Sequence, residues 1–230
     1  MNKYIKKAIF DLVSPHGFVY KKEVFLRVEN DLVQGFTVRS KKAGIYTLFE
    51  VFFATYPLCH PDANFYNYFF EHRELSHIRE RYEYWPYGYV TATKEGLEEC
   101  VNKLITRISE TLLPYFEKYC NCIIASDGLP ELSGYNGSTI HDMYFALKTN
   151  KREAAIANLI SGIQQREDAR DYNAKRLSAE ALSEKLIRSK RYDEQDQGLI
   201  EFITRSTDEE IEDFLLKNEE KALEFLGITR

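Results

Sequence analysis

Cysteine is sparse in this sequence: four residues in 230, at positions 59, 100, 120 and 122. That number and irregular spacing rule against a disulfide scaffold, and a reducing compartment leaves such residues as thiols. A chain of this length buries about 70% of its unfolded surface, so folding requires neither disulfides nor a structural metal. No apolar run approaches the roughly 20 residues that a membrane span needs. The first seven residues, Met1-Asn2-Lys3-Tyr4-Ile5-Lys6-Lys7, carry the positive charge of a leader. Asp11 breaks the apolar stretch after Ala8-Ile9-Phe10, and no small-residue cleavage site follows. The expectation is a cytoplasmic protein with no membrane partner.

Positive charge is also in short supply. The chain has 31 Lys+Arg against 36 Asp+Glu, and no stretch shows the basic stripe of a nucleic-acid binder, so nucleic acid is not expected as a partner. Residues 1–92 hold 12 basic and 10 acidic side chains, and the remainder 19 and 26, so the acidity belongs to the C-terminal half. Such a half favours a basic protein partner.

Familiar catalytic spacings are missing too. His72 and His77 are five apart, whereas the zinc helix motif needs i and i+4; on a helix they would sit about 140° apart. Cys59-His60 and Cys120-x-Cys122 lack knuckle spacing and read as small, partly buried thiols, so no metal or cofactor is expected. The glycine-rich segments at 126–128 and 134–138 lack the lysine of a phosphate loop, and no G-x-S-x-G elbow occurs. Lys185, Arg188, Lys190 and Arg191 are spaced loosely, as on a solvated helix face.

What the chain does have is aromatics. Fifteen of its 32 fall between Ile45 and Tyr89, a density that requires either burial or a docked partner. The first part, Ile45–Tyr56, is apolar on both faces of a strand, which predicts cover on both sides and a place at the centre of a sheet. The second part holds Tyr82, Tyr84, Trp85 and Tyr87 beside Arg79, Arg81, His72 and His77. These eight residues are the candidate ligand- or partner-binding set, with core packing of the rings as the plainer reading. Residues 81–85 also suit a fourth strand.

Periodicity supplies the frame. The spacing predicts a helix over 3–13, stopped at Ser14-Pro15-His16-Gly17, and a hairpin about Asn30-Asp31. A turn at 41–44 leads to the third strand. Thr93 is placed to cap a helix over 94–113 that Pro114 ends or kinks. Gly128, Pro130, Gly134 and Gly137 mark 126–138 as a hinge between an α+β domain (1–125) and a helical domain (139–230). In the latter, helices are expected over 139–149, 151–169 with Asn150 as cap, 174–190 and 197–204. A last helix opens on the Thr207/Glu210 capping box and closes at Gly227.

The first 125 residues resemble a family of uncharacterised bacterial domains of unknown function. The likeness rests on the opening helix with Gly17-Phe18, the strand with Phe25-Leu26-Arg27, and the amphipathic helix ending at Leu113-Pro114-Tyr115. The family carries no established activity or catalytic residues to transfer. Small acidic α+β proteins of this kind also resemble immunity proteins of bacterial toxin systems, an analogy of composition. The reading is an α+β protein, an antiparallel meander packed by two helices and followed by an all-helical region. Its expected role is that of a protein-interaction module. The alternative is a small-ligand binder or enzyme with an aromatic- and His-lined cleft between sheet and C-terminal helices.

Overall fold

The computed structural model describes residues 3–43, 46–60, 93–127, 139–176 and 178–228. The chain divides into two compact units, 1–58 with 62–124, and 59–61 with 125–230. The class is α+β, an antiparallel sheet followed by a mostly helical region.

In the first unit, α1 (Lys3–Val13) buries Ile5, Ile9 and Val13, the i, i+4, i+8 positions of its stripe. Ser14–His16 adds a single 3₁₀ turn. Gly17 then takes φ +81°, and its N–H and that of Phe18 return to the Ser14 and Val13 carbonyls, a closure that suits a residue without Cβ. Four strands follow: β1 (Val19–Lys21), β2 (Val24–Glu29), β3 (Leu32–Ala43) and β4 (Tyr46–Pro57), antiparallel in the order β1-β2-β3-β4. The β1–β2 turn sets both Lys22 and Glu23 at positive φ, a type I′ geometry built without Asn or Gly, so no sequence signal announced it. At the next turn only Asn30 takes positive φ. Asp31 instead accepts the Cys122 N–H at 2.9 Å.

Phe25, Phe36, Val38, Phe49, Val51 and Phe53 line one face of the sheet and meet α1 and α2 (Lys94–Arg107) in a continuous core with Leu104, Ile108 and Phe116. Each such side chain fully removed from water contributes about 1.5–3 kcal/mol. Leu26, Val33 and Tyr56, on the opposite face, are buried as well. Among the described residues β4 stands at one end of the strand order, not at the centre. Apolar residues on both faces record cover on both faces, and say nothing about neighbours along both edges. The expected turn at 41–43 is likewise strand, because β3 runs on to Ala43 in register with Tyr46.

Thr93 caps α2 by accepting the Gly96 N–H. The helix then passes through a π-helical segment, Ile108–Leu112, into α3 (Leu113–Lys118). The wider turn accommodates Pro114 without a break. Cys100, on its apolar face, is fully buried, and burial pushes its thiol up to about 12, leaving it an inert small hydrophobe. A short helix, α4 (Cys122–Asp127), spans the start of the segment expected to be a hinge.

The helical unit contains α5 (Thr139–Lys148), α6 (Arg152–Ala174), α7 (Ala179–Arg205) and α8 (Asp208–Leu226). Asn150 does not cap α6. It takes φ +57° and closes α5 instead, with its N–H bonded to Leu147 O and that of Lys151 to Ala146 O. The two helices expected over 174–190 and 197–204 are one, α7. Met143, Leu147, Ala155, Leu159, Ile203, Ile211 and Leu215 form the unit's core. Among the described residues no helix is long and apolar enough to cross a membrane.

Candidate functional site

His72, His77, Arg79, Arg81, Tyr82, Tyr84, Trp85 and Tyr87 lie outside the described residues, as does the strand expected over 81–85. Two features of the helical unit, one basic and one acidic, hold the charge chemistry that the described residues bring together.

The first is the seam between α6 and α7. Near the start of α6 this seam is hydrophobic, with Ala155 and Leu159 buried. One and two turns past Gly162 the inward positions become Arg166 and Arg170. Facing them on α7 are Ser189, Asp193 and Asp196. Arg166 donates from Nε to Asp193 Oδ1 at 2.7 Å and from Nη2 to Asp196 Oδ2 at 2.5 Å. Arg170 donates from Nη1 to Ser189 Oγ at 2.7 Å and to the other Asp193 oxygen. A planar guanidinium suits this two-pronged bonding, which an ammonium would not reproduce. Burial alone would push the Asp193 carboxyl up. The hydrogen bonds and charges of Arg166 and Arg170 outweigh it and hold the group below the ordinary carboxylate range. Arg166 is shifted upward: burial opposes its charge, and its two aspartate partners more than compensate.

Beside this network there is a groove of about 240 Å³, whose lining is mostly apolar. Its lining includes Arg166, Arg170, Lys185, Leu186, Arg188 and Tyr192. Lys185 and Arg188, exposed on α7, form no ion pair among the described residues. Lys185, Arg188, Lys190 and Arg191 are all exposed, as expected of a solvated face; the Arg–Asp network beside them was not foreseen. A signal was present in the paired spacings, Arg166/Arg170 at i, i+4 and Asp193/Asp196 at i, i+3, which put each pair on one helix face.

The second feature is α8. Its capping box is complete: Thr207 Oγ1 accepts the Glu210 N–H at 3.2 Å, and Glu210 accepts the Thr207 N–H at 2.7 Å. Ile211, Leu215, Asn218, Ala222 and Leu226 are buried. The opposite side carries Glu209, Asp213, Leu216, Glu220 and Glu224 at i, i+4, i+7, i+11 and i+15, all exposed, within roughly 80° of arc. Leu216, at 46% exposure, is an apolar residue set in the middle of an acidic stripe. The acidity of the C-terminal half is thus localised. Residues 164–192 hold eight basic and five acidic side chains, whereas 193–226 hold three basic and 12 acidic.

Several buried polar groups elsewhere have structural partners, whereas Asn218 Nδ2 and Thr55 Oγ1 are buried with no hydrogen-bond partner among the described residues. In the first unit, buried Arg27 donates to Gln34 Oε1 at 2.9 Å and to His16 O at 2.9 Å, under the Phe18 ring. In the second, Lys148 pairs with buried Glu219, and His60 lies on the Tyr144 ring at 4.9 Å. Among the described residues no three His, Cys, Asp or Glu side chains are grouped to hold a metal ion. No protein-family model, no curated protein and no solved structure matches the chain.

Proposed function

We propose that this chain is a protein-interaction module, an immunity- or antitoxin-like partner of a basic protein, and that it presents the outer face of α8 to that partner. The observation that supports the reading is the stripe Glu209–Asp213–Leu216–Glu220–Glu224. The inner face of α8 is committed to the core by Ile211 and Leu215, so the outer face is not needed for folding. An exposed leucine ringed by carboxylates has the anatomy of an interaction patch: an apolar anchor that is desolvated on docking, and a charged rim that steers a partner of opposite sign.

The test compares the tagged full-length chain with the Glu209→Lys/Asp213→Lys/Glu220→Lys variant in affinity capture from cells of its source organism. These side chains are exposed, so the helical circular dichroism signal should not change. The wild type is expected to retain a basic protein in stoichiometric amount. The variant should lose it by at least about tenfold, and added salt should weaken the wild-type complex. A partner retained equally by both proteins contradicts the reading, and so does capture of acidic proteins alone.

A further inference from the structure

We infer that the end of the α6–α7 hairpin beyond Gly162 and Gly198 is a hinged arm, which swings as one body on that pair of glycines against the core of the helical unit. Each of the two helices contains a single glycine. Gly162 stands one turn before Arg166 on α6, and Gly198 stands just past Asp196 on α7. Arg166 bonds to Asp193 and Asp196, and Arg170 to Ser189 and Asp193, so the helices run antiparallel and their register brings the two glycines to one level.

That level is also where the seam changes character. On one side of it Ala155, Leu159 and Ile203 belong to the core, with Leu199 and Ile200 packed against it. On the other side the bonds across the seam are those of the two arginines. Arg166, Arg170, Ser189, Asp193 and Asp196 all lie beyond the glycines, as does every residue lining the groove, so a bend at 162 and 198 breaks none of these bonds. Among the described residues no hydrogen bond or ion pair joins the arm to α5 or α8.

Glycine lowers helix stability relative to alanine, because its backbone loses more freedom on folding. Packing does not explain Gly198: it is exposed, and a Cβ there would meet nothing within 4 Å. The two helices are thus weakened side by side, at the place where the arm leaves the core. From Gly162 to the end of α6 at Ala174 is about 18 Å, so a bend of about 20° carries the far end about 6 Å. A hinge of this kind moves a surface without reshaping it: the groove and its network travel whole. The motion does not depend on what docks on α8.

The test is measurement of backbone N–H residual dipolar couplings in the full-length ²H,¹⁵N-labelled chain, weakly aligned in a polyacrylamide gel. One alignment is fitted to α5, α8 and the core parts of α6 and α7, and another to residues 163–174 and 185–197. The arm should show one degree of order along both its helices, at least about 10% below that of the core, because these couplings average over hinge motion. Gly198→Ala fills only open space and should close at least about half of that difference. Three results overturn the inference: equal order in arm and core of the wild type, order that falls progressively toward residues 174 and 185 as in fraying, or an arm as mobile in Gly198→Ala as in the wild type.

Discussion

Gln34 shows how much a single side chain can settle. It is fully buried on the core face of β3, between Leu32 and Phe36 in the alternation, where a polar residue reads as a patterning fault. Its amide completes three bonds. Nε2 donates to Phe116 O at 2.7 Å and Tyr119 O at 2.6 Å, and Oε1 accepts from Arg27. The two carbonyls lie at the C-terminal end of α3, where the helix supplies no partner of its own. Gln34→Leu keeps the volume and removes all three bonds. Each buried group left unpaired costs about 1–3 kcal/mol, so a loss of at least about 2 kcal/mol is expected in urea denaturation. A Gln34→Leu variant as stable as the wild type would mean that water reaches these carbonyls. Arg27 is seven positions away, but the two carbonyls that Gln34 serves lie more than 80 positions along the sequence, beyond the reach of any short-range signal.

Elements that carry their own instructions were legible in the sequence. The 3–13 stripe, the Thr93 cap, the Thr207/Glu210 box and the Gly227 closure all rest on interactions within a few residues. The α6–α7 hairpin was not. Across Ser189–Gln197 the sequence is almost wholly polar, so apolar periodicity lapses and one helix reads as two. There, in place of an apolar stripe, the helix presents aspartates that pair with Arg166 and Arg170 on α6.

A pH dependence follows for this hairpin. The Asp193 carboxyl is held low in the folded chain, so its contribution is fully present above the ordinary unfolded value, about 3.9. It is lost as pH falls through the folded value. Asp193→Asn removes the charge that both arginines use and should cost about 1–3 kcal/mol at neutral pH, read from helical ellipticity in urea. The gap between variant and wild type should close as the pH is brought below about 4. A gap of constant size down to pH 2 would show that packing, not the ion network, holds the two helices.

At the scale of the whole molecule, class and order were legible: strands first, then helices, from pattern alone. The position of β4 at the end of the described strand order was not, since hydrophobicity reports faces rather than edges. The eight residues singled out between His72 and Tyr87 remain a sequence expectation. In the helical unit, residues 164–192 are net basic and the final helix is acidic along its outer face. Net charge over the C-terminal half averaged the two and concealed both.

Docking of a partner on the acidic face of α8 is tested most directly by carbodiimide footprinting of carboxylates. The captured complex and the free chain are labelled with glycine ethyl ester, and modification is read at each acid by mass spectrometry. Glu209, Asp213 and Glu220 should lose most of their labelling in the complex, while Asp11 and Glu167, also exposed in the free chain, keep theirs. Unchanged labelling along α8, with protection appearing at another surface, would contradict docking there.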